Sequence, residues 1–188
     1  NKRIVFFDTL LERLAPRQRQ RAFERFEGAP RLLGDARRQI TRARFDLALR
    51  SLMSGGEAVG DAVMEWARSE LGVTINEIFG QTEMNYVIGG CAALFAPRAG
   101  AMGRPYPGHR VTLLDDAGEE VGPGDIGEIA VWREGDPVVF LEYWNNPQAT
   151  QGKFVRGWGR TGDLALRDDA GFYWYKGRTD DVIKSAGY

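Results

Sequence analysis

Residues 160–188 read RTGDLALRDDAGFYWYKGRTDDVIKSAGY. Leu164 and Leu166 alternate with other residues, Phe172 and Trp174 do so again, and Asp168-Asp169-Ala170-Gly171 lies between them. A period of two on either side of an Asp/Gly turn predicts an antiparallel hairpin. Such a hairpin brings Asp163, read as part of a tight Thr161-Gly162-Asp163 turn, beside Arg178. The stretch then runs through Asp180 and Lys184 to Tyr188 without the pattern of a finished domain.

The alternation extends upstream. Residues 103–135, GRPYPGHRVTLLDDAGEEVGPGDIGEIAVWREG, form short alternating runs broken by Asp116-Ala117-Gly118 and Gly122-Pro123-Gly124-Asp125. Residues 103–178 therefore predict an antiparallel β subdomain, barrel-like or a bent sheet. Within it NNPQATQGKF, residues 145–154, reads as a turn and one helical turn.

Before residue 103 the rhythm differs. LALRSLMSGGEAV (47–59) reads as a short buried strand ending in a Gly-Gly turn. GDAVMEWARSELG (60–72) places Val63, Trp66, Ala67 and Leu71 on one helix face and Gly72 at its end. VTINEIFG returns as a strand. Residues 45–102 thus predict a β-α-β unit with a parallel sheet, and the fold class is α/β. Residues 1–44 read as helical, with Phe7, Leu10, Leu11, Leu14, Phe23 and Phe26 at helical spacing, and carry no motif.

Bulk composition excludes several functions. The chain has 188 residues and a formal net charge of -1, so no global field draws it to nucleic acid. The arginines crowded between residues 12 and 50 read as solvated helix faces. Cys91 and His109 are the only cysteine and histidine. No internal disulfide or cysteine zinc site can form, which suits a reducing cytoplasm. Cys91 reads as a small buried hydrophobe, and no Gly-x-Ser-x-Gly elbow accompanies His109. No run of about 18 apolar residues offers a membrane span.

Three stretches carry chemistry in order: SGGEAV (54–59), FGQTE (79–83) and RTGD…GRTDDVIK (160–184). Each is weak alone. At this order and spacing, with GRPYPGH, GDIGEIAV and YWNNPQAT between them, residues 45–188 resemble the AMP-forming acyl-CoA synthetases of the adenylate-forming superfamily. INEIFGQTE is most similar to the short- and medium-chain branch, which implies fatty acid metabolism.

The resemblance implies a ligase. A carboxylic acid and ATP give acyl-AMP, and CoA then displaces AMP, with Mg²⁺ as the companion ion. Adenine needs two faces and a polar edge. The resemblance assigns one wall to Gly55, Gly56 and Glu57, and the other to Phe79 with Gly80 and Gln81. Asn76 is placed to meet the adenine edge. Thr82 offers a hydroxyl to the α-phosphate, and Glu83 is a hard oxygen ligand for Mg²⁺. These two are the catalytic candidates. Asp163 and Arg178 match the pair that holds the ribose hydroxyls. Asp180 matches a hinge to a C-terminal domain, so residues 179–188 are read as the start of that hinge. Residues 83–93 are expected to line the acyl pocket, with Gly89-Gly90 leaving room.

Two family parts have no counterpart here: the Ser/Thr/Gly-rich phosphate loop and the C-terminal domain with its lysine. The chain alone is therefore expected to be inactive, and the missing C-terminal domain is its implied partner. Blander readings stay open. Thr82-Glu83 also suits a helix N-cap, and Asp163 with Arg178 a surface ion pair. Loading of a carrier-protein phosphopantetheine, or nucleotide binding without catalysis, are the alternatives.

Overall fold

The computed structural model describes residues 48–179. The helical pattern expected over residues 1–44, and Asp180 and Lys184, lie outside them. Two sheets make up the described fold. The first has the order β1-β2-β3-β4: β1 (Leu52–Gly55), β2 (Ile75–Gln81), β3 (Asn85–Gly89) and β4 (Arg104–Pro105). In the second, β5 (Val111–Leu114), β6 (Ile126–Trp132), β8 (Trp158–Arg167) and β7 (Phe154–Val155) follow one another, and β9 (Tyr173–Arg178) pairs with β8.

The β-α-β unit forms as expected. β1 and β2 are parallel, with Leu52 opposite Ile75 and Gly55 opposite Ile78. The crossover is α1 (Asp61–Trp66), which widens into a π-helical turn over Ala67–Leu71. Gly72 ends it in the left-handed region at φ 65°, and the Gly72 and Val73 amides cap Ala67 O. Ala67 and Leu71 are buried and, with Leu52, Val59, Met64, Val73 and Ile75, make a small core under the crossover. β1 is less buried than its sequence predicts. Only Leu52 is covered, because among the described residues β1 pairs on one side alone.

The second sheet is antiparallel throughout. A larger core joins it to the first: Met84, Val87 and Ile88 pack with Val111, Leu113, Ile129, Val131, Ala165 and Tyr173. Backbone bonds reinforce the junction, as Met102 N donates to Tyr173 O and Tyr173 N to Gly103 O. The turn residues 145–154 form α2 (Pro147–Gly152), capped by the Asn146 side chain on Ala149 N. Among the described residues no helix is long and apolar enough to cross a membrane.

One expectation is corrected. Thr161-Gly162-Asp163 is not a turn between elements but a bulge inside the ten-residue strand β8. Glu128 faces Leu164 while Ala130 faces Arg160, so β8 carries extra residues there. Gly162 absorbs the kink at φ +80°. The bulge is stitched by Thr161 Oγ1 donating to Ile129 O at 2.8 Å and accepting from Asp163 N at 3.1 Å.

Candidate nucleotide site

The bulge aims Asp163 across the hairpin. Asp163 and Arg178 are register partners on β8 and β9, and Arg178 Nη1 lies 3.4 Å from Asp163 Oδ1. Tyr175 OH also donates to Oδ1, at 3.3 Å. Asp163 is buried, at 4% exposure, so its carboxylate is held rigidly. Behind the bulge, the buried Glu128 takes Gly162 N on one oxygen and Arg160 on the other. Glu128, Lys153, Arg160, Gly162, Arg178 and Thr179 line a polar recess of about 310 Å³.

The FGQTE motif arrives from the other sheet. Phe79, Gly80 and Gln81 end β2, and Thr82, Glu83 and Met84 turn the chain into β3. A hairpin tip stands here, so the helix N-cap alternative for Thr82-Glu83 is excluded. Two features fix the tip. A Cβ on Gly80 would lie 1.8 Å from Asn85 O, so only glycine lets the strands close. Met84 is fully buried and plugs the larger core. Thr82 is exposed, and Gln81 and Glu83 are half-buried.

Gln81 bridges the two sheets. Its Nε2 donates to Thr161 O at 2.9 Å and reaches Asp163 Oδ2 at 3.5 Å, while its Oε1 accepts from Lys153 Nζ at 3.0 Å. Lys153 Nζ also stands 3.9 Å from Glu83 Oε1, which accepts from Tyr143 OH at 2.6 Å. Burial pushes the Glu83 acid up, but the Tyr143 hydroxyl, a backbone N–H and the Lys153 and Arg178 charges outweigh it and hold the acid below its ordinary value. Tyr143 is pushed up to about 12, first by burial and then by its bond to Glu83.

The residues named for adenine lie along β1 and β2. Gly55 is exposed but abuts its strand partner, since a Cβ there would meet Ile78 Cγ1 at 2.6 Å. Gly56 stands open at φ +95°, and Glu57 is exposed. Phe79 is half-buried and packs one side against the larger core. Asn76 is buried and both ends of its carboxamide meet backbone, Nδ2 on Leu52 O and Oδ1 on Ala92 N. The room expected at Gly89 is taken by Tyr106, whose hydroxyl would lie 2.0 Å from a Cβ there.

Sequence reading missed Lys153, Tyr143, Glu128 and Arg160. Glu128 left a signal: a carboxylate on the same strand face as Ala130 and Trp132 is a charge placed in a core. Lys153 left none, because its partner Gln81 is 72 residues away.

The AMP-binding enzyme family matches residues 6–144. The chain is 35% identical over 147 residues to an uncharacterized acyl–CoA ligase, YtcI, of Bacillus subtilis, across 77% of this chain and 27% of that protein. Its structure is similar to a benzoate CoA ligase from Burkholderia xenovorans, with a TM-score of 0.68 and 34% identity over 77% of this chain and 28% of that one. It is also similar to an anthranilate CoA ligase in complex with anthranoyl-AMP, with a TM-score of 0.67 and 28% identity over 87% of this chain and 35% of that one. The chain spans about a quarter of the length of the curated relatives it matches.

Proposed function

This chain belongs to the AMP-binding enzyme family, and we propose that it supplies the nucleotide-holding part of an acid–thiol ligase. In the complete enzyme, a carboxylate oxygen attacks the α-phosphorus of ATP, giving acyl-AMP and pyrophosphate. The thiol of CoA then attacks the acyl carbon, and AMP leaves. The anthranoyl-AMP held by one structural relative supports this reading. The lone Cys91 suits a cytoplasmic enzyme.

One observation carries the proposal. Two strands of one sheet and a hairpin tip of the other bring Asp163, Arg178 and Gln81 into one hydrogen-bonded group, and Lys153, bonded to Gln81, stands 3.9 Å from Glu83. Asp163 accepts from the two ribose hydroxyls and Arg178 donates to their oxygens, as a vicinal diol requires. Gly56 and Phe79 face the adenine ring. Asn76, with both amide ends on backbone, braces the loop beside that ring. Thr82 offers its hydroxyl to the α-phosphate from the exposed tip.

Glu83 suits Mg²⁺. It is a lone carboxylate at the tip, and among the described residues no group of three or more His, Cys, Asp or Glu could hold a metal. Magnesium commonly takes one or two carboxylates and completes its shell with phosphate oxygens and water. When bound, it would neutralise phosphate charge. The residues themselves orient the nucleotide, and positioning is worth much of the barrier in such a displacement.

The test is pyrophosphate release by the complete enzyme against a panel of aliphatic and aromatic carboxylates. The expected result is ATP-dependent release with at least one acid, with a raised KM for ATP in Asp163→Ala. Release with none, at saturating ATP and Mg²⁺, overturns the proposal.

A further inference from the structure

Lys153 is a cation that neither the motifs nor the ribose pair account for. It caps the end of α2, where its backbone N–H donates to Ala149 O and Thr150 O. This fixes the root of its side chain at the seam between the two sheets. Among the described residues its ammonium then makes one short contact, 3.0 Å to Gln81 Oε1, and one longer contact, 3.9 Å to Glu83 Oε1. The side chain is 18% exposed, so the stem is ordered by burial.

Gln81 is the group this contact acts on. A glutamine amide has two similar ends, and the partners of those ends decide which way it points. Here the oxygen meets an ammonium, and the nitrogen meets Thr161 O and Asp163 Oδ2. Reversing the amide would put oxygen against a carbonyl and a carboxylate, and NH₂ against an ammonium. The Lys153 charge therefore selects the orientation in which Gln81 donates toward the β8 bulge. Thr161 passes the constraint on, because its Oγ1 accepts from Asp163 N at 3.1 Å.

We propose that Lys153 is a positioning residue for the sugar end of the nucleotide: through Gln81 it sets the Asp163 carboxylate that receives the ribose hydroxyls. The proposal rests on the reading of Asp163 and Arg178 as the ribose pair. Lys153 touches no reacting atom in it. Its effect is greatest at the diol, because Gln81 carries it to Thr161 and Asp163, whereas Glu83 stands farther from the ammonium, at 3.9 Å.

That difference gives the test. AMP and 2′,3′-dideoxy-AMP are titrated by calorimetry against the full 188-residue chain and against Lys153→Met, Lys153→Arg and Gln81→Met. The unaltered chain should prefer AMP by about tenfold or more, the worth of one charge-assisted hydrogen bond. Lys153→Met should lose most of that preference, weakening AMP about tenfold and dideoxy-AMP far less. Lys153→Arg should restore it, Gln81→Met should match Lys153→Met, and the double variant should lose no more than either. A Lys153→Met chain that weakens both nucleotides equally, or keeps the preference, overturns the proposal. If Lys153→Met does not fold, the Gln81→Met titration decides alone, and a retained preference there overturns it. An unaltered chain that binds both nucleotides alike sinks the ribose reading itself and this inference with it.

Discussion

Asp163 on β8 and Arg178 on β9 are direct cross-strand partners, and a strand bulge, not a turn, places the acid. Their 3.4 Å separation is long for a charge-assisted bond, which runs to about 2.7–2.9 Å. The pair therefore fixes geometry more than it contributes stability. Replacing Asp163 by Ala should weaken AMP binding by about tenfold or more, since a charged acceptor for a hydroxyl contributes about 1.5–3 kcal/mol. Calorimetric titration reads this directly, and an unchanged Kd would remove Asp163 from the site.

Tyr143 and Glu83 share one proton-donating contact, and their acids move in opposite directions. The Glu83 acid lies below its ordinary 4.5, so its contribution to stability is present above pH 4.5 and lost as pH falls through the folded value. Tyr143 holds its proton to about 12, so its contribution is full below its ordinary 10.0 and lost as pH rises toward 12. Tyr143→Phe should flatten the alkaline arm of the stability curve and move the acid arm to higher pH. Ultraviolet titration of phenolate should lose one late-ionising tyrosine. A variant whose two arms superimpose on the parent's would show that the contact does no thermodynamic work.

Glu77 is a buried acid with an imperfect shell. One carboxylate oxygen accepts from Val59 N and the other, Oε2, has no hydrogen-bond partner among the described residues. Burial raises its acid above 4.5, partly offset by the Val59 bond. Because the folded state holds that proton more tightly, the contribution is full below pH 4.5 and is lost as pH rises through the folded value. Glu77→Gln keeps the shape without the charge. It should melt about 2–4 °C above the parent near neutral pH, the shift expected from about 1 kcal/mol, and match it at pH 4. A lower melting point at neutral pH would show that the charge is paired after all.

Gly80 is where the hairpin can be broken. A Cβ there would lie 1.8 Å from Asn85 O and 2.6 Å from Asn85 C, both backbone atoms that cannot turn aside. Gly80→Ala should cost about 1–3 kcal/mol by overpacking and displace Gln81, with AMP affinity falling alongside. Chemical denaturation measures the first effect and titration the second. An alanine variant as stable as the parent would mean the β2–β3 pairing has slack.

The sequence by itself determined the elements and pointed to several of the residues that the structure brings together. Period-two alternation forced the β8–β9 hairpin and so brought Asp163 near Arg178, but the register running from the turn would set Asp163 opposite Gly177, and only a register shift between Leu164 and Ala165 sets it opposite Arg178. The apolar face of Val63, Trp66, Ala67 and Leu71, closed by Gly72, forced the crossover helix and hence the parallel pair. These are local effects, carried by residues a few positions apart. Tertiary structure alone decided the rest. Thr161-Gly162-Asp163 reads as a turn until β6 lies alongside, because a bulge exists only relative to a partner strand. Likewise, nothing near Lys153 in sequence selects Gln81 or Glu83. Their meeting depends on how the larger core docks one sheet on the other, so it is a consequence of packing between segments some 70 residues apart.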